Sequence, residues 1–195
     1  MSNSNKLTIV DGPHSLIKYK VTKHLLKLYQ DNNIKVSNTK GTIPEVKKHS
    51  DKWLVFNQFE GVYRNYNNFI RNLIPRTDVL ITCYIPYLLA YYGAGYGFLD
   101  ILNEMVDEFF NTRLDTLDKH PDLFIYCKVD VEHFIGDEEE DFKKRVIEEF
   151  DNLAQSEAVD NIFILDCTEY DDEELLNNVT NIFNQFIKQR SIFED

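Results

Sequence analysis

Cysteine is scarce in this sequence, and its three cysteines, Cys83, Cys127 and Cys167, share no metal-ligand spacing. Each lies in or beside an apolar, strand-like run, which favours buried reduced thiols over a disulfide framework or a zinc site. The five histidines are scattered without a paired spacing, so solvated or capping roles are favoured over metal ligation. We therefore expect no metal centre, and a reducing, cytoplasmic location.

Long apolar runs and a surplus of basic residues are also missing. The start, Met1–Lys6, is polar, and no later segment reaches the length of a membrane span, so we expect neither a signal region nor a membrane protein. The 21 basic residues face 33 acidic ones, and the net charge of −12 disfavours nucleic acid and membrane surfaces as partners. Few alanines and glycines are typical of an AT-rich genome, which leaves open a viral origin and a host-cytoplasm location.

What the sequence does contain is an alternation of two patterns. Its 195 residues, 43% of them hydrophobic, can bury one substantial core, so we predict a single domain, residues 1–195. Short apolar runs predict strands at Leu7–Val10, Val79–Cys83, Leu123–Val129 and Asn161–Leu165, with a weaker fifth at Ile34–Val36. Amphipathic stretches predict helices at Tyr19–Tyr29, Trp53–Leu73, Leu99–Leu114, Glu139–Leu153 and Asp172–Ile187.

This alternation predicts an α/β fold with a parallel sheet covered by helices on both faces. Ligands of such folds bind beyond the carboxyl ends of the strands, so function is expected in the loops that start near Asp11, Thr82 and Asp130.

The first of these loops is a poor phosphate cradle. A phosphate-binding loop of the form GxxxxGK[ST] uses glycines for close backbone approach, lysine for charge and a hydroxyl for magnesium. Gly12 and Lys18 keep that spacing, yet Ile17 replaces the second glycine and Tyr19 replaces the hydroxyl residue. We therefore favour an ordinary strand-to-helix turn with a solvated Lys18 over a triphosphate site.

Several segments, in order along the chain, resemble thymidylate kinases. Leu89–Gly97, LAYYGAGYG, resembles the LAYQGAGRG segment that follows the third strand of that family. Leu7–Gly12 resembles its first strand, Pro121–Tyr126 is similar to its PDLTLYL strand, and Ile164–Thr168 is similar to its final strand. The resemblance implies a three-layer, P-loop NTPase-like fold with a five-stranded parallel sheet, and a shortened lid near residues 131–138.

The same resemblance implies that the chemistry has been lost, so no catalytic residue is assigned. The family's Asp-Arg pair after the third strand falls at Thr82 and Cys83, and its thymine-reading arginine falls near Glu60. Tyr96 replaces a charged residue, and the acidic segment after Asp130 is too short for an arginine-bearing lid. One arginine acting in phosphoryl transfer is worth about 10³–10⁵ in rate, so losing several removes most of the catalysis.

What remains are traces of two sites. Gly12 and Lys18 correspond to a vestigial phosphate loop, whereas Phe56 and Tyr91 correspond to a vestigial nucleoside pocket. The resemblance implies that Phe56 stacks on the base and that Tyr91 excludes a ribose hydroxyl. Both aromatics are equally explained as core residues, so nucleotide binding stays open.

We therefore predict a catalytically degenerate thymidylate kinase-like protein, a pseudoenzyme that acts as an interaction or regulatory module. Its partner would be a second copy or another protein, and the aromatic-rich helix Val62–Ile74 is the candidate surface. The alternative is a divergent, active nucleoside monophosphate kinase that transfers the γ-phosphate of ATP to dTMP. Only that alternative requires ATP and Mg²⁺ as cofactors, with the missing charges supplied by residues such as Arg64, Arg71, Arg76 or Lys40.

Overall fold

The computed structural model describes residues 5–40, 61, 64, 66–83, 85–96, 121–155, 161–169 and 171–192. The strands are β1 (Leu7–Asp11), β2 (Val36–Lys40), β3 (Asp78–Thr82), β4 (Leu123–Lys128) and β5 (Ile162–Asp166). The α-helices are α1 (Leu16–Asp31), α2 (Arg71–Leu73), α3 (Ile85–Tyr96), α4 (Glu140–Gln155) and α5 (Asp172–Ile192). A π-helical turn, Tyr66–Ile70, leads into α2, and a 3-10 turn, Val131–His133, follows β4.

The five strands form one parallel sheet in the order β2-β3-β1-β4-β5. The central strand β1 pairs on both sides, with Ile9 opposite Ile81 of β3 and Phe124 of β4. Every residue of β1 and β3 is buried, as expected where helices cover both faces of a parallel sheet. The predicted α/β class and parallel sheet are confirmed.

Helices cover the sheet in two layers, each with its own core. On one face α1 packs against α5, where Tyr29 meets Phe183 edge-on with ring centroids 5.0 Å apart. On the other face α3 packs against α4, where the Arg145 Nε donates a hydrogen bond to the Ala94 carbonyl at 3.0 Å. In the part of the chain described above, no helix is both long and apolar enough to cross a membrane.

The boundaries of several elements differ from the sequence prediction for local reasons. Helix α1 begins at Leu16 because the Ser15 side chain caps it, accepting a hydrogen bond from the Lys18 amide at 3.3 Å. Strand β3 ends at Thr82 because Cys83 adopts a positive φ of 56°.

The fifth strand was predicted at Ile34–Val36 and lies instead at Val36–Lys40. This strand is at the edge of the sheet and is only partly buried, so it does not need the continuous apolar run on which the prediction relied. The predicted helix Leu99–Leu114 and most of Trp53–Leu73 lie outside the described residues.

The LAYYGAGYG segment forms most of helix α3, a helix that the sequence patterns did not predict. Three of its small residues lie where α3 meets α4: Ala90 and Ala94 are buried, and a Cβ placed on Gly93 would lie 3.0 Å from the carboxyl carbon of Glu149. Small residues at this spacing let two helices approach closely. Helix packing is therefore a sufficient physical reason for small residues at positions 90, 93 and 94.

The packing of Glu149 against α3 makes a testable electrostatic prediction. Burial, followed by repulsion from Glu148, raises the pKa of the Glu149 carboxyl above its ordinary value of 4.5. The folded state then holds this proton more tightly than the unfolded state, so stability falls as the pH rises above about 4.5. We expect Glu149→Gln to raise the melting temperature slightly at pH 7.5 and to lose this advantage near pH 4.

Glu140→Gln, a matched variant on the same helix, should change stability with pH in the opposite direction to Glu149→Gln. Lys144 lowers the pKa of the exposed Glu140 carboxyl, so Glu140 stabilises the fold above its ordinary pKa of 4.5 and loses that contribution as the pH falls. Thermal melts of Glu149→Gln, Glu140→Gln and the parent at several pH values check both signs. An advantage of Glu149→Gln that is equally large at pH 4 would contradict the burial argument.

Candidate functional site

The topology of the sheet marks one crevice as the place to look for a site. From β1 the chain crosses to β2 on one side, and from β3 it crosses past β1 to β4 on the other side. Because such crossovers are almost always right-handed, the helices that follow β1 and β3 lie on opposite faces. The carboxyl ends of β1 and β3, at Asp11 and Thr82, therefore flank the switch point where ligands of open α/β sheets bind.

The loop after β1 is tightly packed and is held by its own side chains. Gly12 has a φ of +143°, and a Cβ there would collide with the Cys127 carbonyl oxygen on β4, so only glycine fits. The Gly12 amide donates to the Asp11 carboxylate at 3.0 Å, and the His14 amide donates to the Tyr91 hydroxyl at 3.1 Å. Backbone amides that a phosphate loop would aim at an anion are thus used inside the protein.

Lys18 is buried beneath this loop, with only 1% of its surface exposed. Its ammonium group donates to the Gly12 carbonyl at 2.8 Å, and it lies 3.6 Å from Asp11 Oδ1 and 3.6 Å from Cys83 Sγ. The same group lies 4.3 Å from the centroid of the Tyr87 ring, a cation–π contact. The expectation of a solvated Lys18 was therefore wrong, because the lysine is the cationic centre of a buried polar cluster.

Asp11 and Tyr87 are residues of this cluster that sequence reasoning missed, and Asp11 supplies its negative charge. The Asp11 side chain is fully buried, and Oδ2 accepts a hydrogen bond from the Tyr87 amide at 3.2 Å, which joins the end of β1 to helix α3. A buried carboxylate is tolerated only when it is paired and hydrogen-bonded. The available signal was an acidic residue that ends an otherwise apolar strand, seven positions before the lysine.

Cys83 and the neighbouring tyrosines contribute uncharged groups to the cluster. Burial raises the pKa of the Cys83 thiol, although Lys18 opposes the shift, and burial also raises the pKa of the Tyr87 and Tyr91 hydroxyls. All three groups are therefore neutral at physiological pH. Cys83 stands where the resemblance places an arginine, and its protonated thiol is neither a phosphate ligand nor an activated nucleophile.

Residues 131–138, the predicted shortened lid, pack against the loop after β1. The Ile135 amide donates to the His14 carbonyl at 2.7 Å, and the buried Phe134 ring lies 6.0 Å from the Tyr91 ring. Lys143 of α4 donates to the Gly136 carbonyl at 2.7 Å. Segment 131–138 therefore joins the loop after β1 to the α3–α4 layer.

The residues of the described loop that stand at phosphate-loop positions make their contacts within the protein. Tyr19, at the position of the metal-binding hydroxyl, is 38% exposed, and its hydroxyl lies 3.3 Å from His14 Nε2. Ile17 is partly buried against the core, and the Lys18 ammonium points at protein acceptors. A phosphate placed at this loop would also meet the buried Asp11 carboxylate, which repels it.

The other residues singled out from the sequence lie in different places. Phe56 lies outside the described residues, whereas Tyr91 is buried and stacks on Tyr87 with ring centroids 4.2 Å apart. Lys40 ends β2, and its amino group lies 5.7 Å from the Tyr19 ring centroid, which puts it beside the loop. Arg76 lies two residues before β3, at the amino-terminal end of the strand and so away from the loop.

The fold and this cluster define an α/β protein whose first strand-to-helix loop is closed by a buried lysine–aspartate pair. No protein-family model matches the chain, and no curated protein matches it.

Proposed function

We propose that this chain is a catalytically silent, thymidylate kinase-like protein that works through contacts with another protein or with a second copy of itself. The parallel sheet, with β1 at its centre and its loop leading into α1, is compatible with a P-loop-like fold. The LAYYGAGYG segment and the spacing of Gly12 and Lys18 support the proposed ancestry. Residual nucleotide binding would be a remnant without chemistry.

The observation that carries the proposal is the internal use of Lys18. Phosphoryl transfer depends on positioning and on neutralising the charge of the transferred group. Here the lysine contacts the Gly12 carbonyl and the Asp11 carboxylate, and Cys83 replaces the arginine of the family pattern. The cluster holds one buried cation against one buried anion, so it supplies no surplus positive charge for a nucleotide.

A second candidate function is the divergent kinase, because Gly12 and Lys18 do lie at the switch point of the sheet. Among the described residues, the exposed Lys40 lies beside Tyr19 and is a candidate to replace a missing charge. That activity would require the Lys18 ammonium to leave its buried partners before a phosphate could bind it.

Thermal-shift and phosphotransfer assays on the purified protein distinguish the silent protein from the divergent kinase. We expect neither ATP with magnesium nor thymidine monophosphate to raise the melting temperature, and we expect no turnover in a coupled phosphotransfer assay. A mock purification from the same host controls for contaminating kinases. Turnover that follows the protein through successive chromatographic steps, and that disappears in a folded Lys18→Met variant, would refute the silent assignment.

The interaction role is tested by the state of association without nucleotide. Within the candidate surface Val62–Ile74, Phe69 is 51% exposed while its neighbour Ile70 is buried. Sedimentation velocity should reveal a homodimer, or a stable complex with a partner protein, which Phe69→Asp weakens. Leu16→Asp, at a leucine of α1 that is 66% exposed, is the control at another exposed apolar side chain and should leave the association unchanged. A monomer that forms no complex under any condition would contradict this role.

A further inference from the structure

Two lysines of helix α1 form ion pairs in very different environments. Lys20 pairs with Asp172 at 2.7 Å across the surface, and 50% and 71% of these side chains are exposed. Lys18 pairs with Asp11 at 3.6 Å, and 1% and 0% of these side chains are exposed. A surface pair contributes little to stability, whereas a buried charge must keep its partner or suffer a large desolvation cost.

The groups around Lys18 take the place that a bound oxyanion would occupy. Asp11 supplies the negative charge and Gly12 a carbonyl acceptor, and the ammonium also contacts the Tyr87 ring and Cys83 Sγ. Asp11 Oδ1 also accepts the hydrogen bond of the Gly12 amide, a loop donor suited to an anion. One carboxylate therefore meets both the cation and an amide donor of the loop.

An external anion cannot easily compete with this arrangement. Asp11 ends strand β1 and is covalently part of the site, so its effective concentration at Lys18 far exceeds that of a dissolved ligand. Both carboxylate oxygens are also held by backbone amides, those of Gly12 and Tyr87, so the group is already oriented towards the lysine. A phosphate would have to enter beside a fixed negative charge.

We infer that Asp11 is a built-in anion that occupies Lys18 and closes a latent oxyanion site, and that the site opens to phosphate when this charge is removed. The inference rests on the proposed function, because it explains what replaced the ligand at the loop. Segment 131–138 packs on the same loop, where the Ile135 amide donates a hydrogen bond to the His14 carbonyl.

The test compares Asp11→Asn with the parent, using inorganic phosphate as the probe. The variant should melt about 6–20 °C lower in chloride buffer, because the buried lysine loses its counter-ion. Adding about 20 mM phosphate at constant ionic strength should recover about 3 °C or more of that loss. The parent should not respond, because Asp11 already holds the lysine.

Two further variants make the result specific. Asp11→Asn/Lys18→Met removes both charges, so it should melt above Asp11→Asn and should ignore phosphate. Asp172→Asn removes the partner of the exposed Lys20 and should also ignore phosphate. If Asp11→Asn is unfolded in buffer, phosphate should refold it, as seen by circular dichroism, at concentrations that do nothing to the double variant.

The inference is overturned if phosphate stabilises the parent as much as Asp11→Asn, or if Asp11→Asn neither gains stability nor refolds with phosphate. Failure of the proposed function has a different signature. Turnover by the parent would refute the silent assignment and leave the phosphate response of Asp11→Asn in place. Lack of that response would refute the built-in anion and leave the absence of turnover unchanged.

Discussion

Replacing Lys18 by methionine should lower the free energy of unfolding by about 3–5 kcal/mol, the cost of leaving a buried charge without its partner. Methionine keeps most of the volume and the unbranched shape of lysine, so the change removes the charge with little change in packing. The Asp11 carboxylate, fully buried, would lose its nearby ammonium, and the Gly12 carbonyl would lose a donor at 2.8 Å. Urea denaturation followed by circular dichroism measures the change.

The matched control is Lys20→Met, two residues further along the same helix and on its opposite side. Lys20 is half exposed and its ion pair with Asp172 is solvated, so this variant should stay within about 1 kcal/mol of the parent. A lysine kept for ligand binding would show the reverse pattern, with binding lost and the unliganded fold little changed. Equal stability of Lys18→Met and Lys20→Met would therefore contradict the buried pair.

Replacing Gly12 by alanine should destabilise the protein by about 2–6 kcal/mol, by adding backbone strain to a steric collision. The φ of +143° is unfavourable for any residue with a Cβ, and the new methyl group would overlap the Cys127 carbonyl oxygen. That oxygen belongs to the backbone of β4, which is fixed by its pairing with β1 and β5. The collision can be relieved only by moving the strand or the loop.

Gly93→Ala is the matched control for Gly12→Ala, since both substitutions add one methyl group. At Gly93 the nearest atoms are the flexible end of the Glu149 side chain at 3.0 Å, and alanine favours a helix by about 1 kcal/mol over glycine. We expect Gly93→Ala to remain within about 1 kcal/mol of the parent in the same urea titration. If the two variants unfold alike, the close approach of Gly12 to β4 does not limit this position.

These effects concern residues whose importance the sequence showed only in part. The spacing of Gly12 and Lys18 drew attention to the loop, and the substitutions at Ile17 and Tyr19 argued against a nucleotide there. The sequence could not show that Asp11 faces Lys18, because residues seven apart meet only through the turn that the chain makes after β1. The contribution of Tyr87 depends on the position of α3, on the far side of the switch point.

The secondary-structure elements also differ in how well the sequence predicted them. The central strands were predictable because a strand buried on both faces is mostly apolar, as in Leu7–Val10 and Leu123–Cys127. The start of α5 was predictable from its own acidic first turn, Asp172–Glu174, which suits the positive end of the helix dipole. Edge strand β2 was misplaced, because a partly solvated strand carries polar residues that resemble a loop.

By itself the sequence determined the α/β class, the apolar strands and the buried cysteines, because each follows from residue type and local spacing. Only the tertiary structure decided that Lys18 is buried, that Asp11 is its counter-ion and that residues 131–138 pack on the loop. The physical reason is that the burial and pairing of a charged side chain depend on which elements meet at the switch point of the sheet. The residues adjacent to a lysine in the sequence do not predict whether its ammonium group is solvated or paired with a carboxylate.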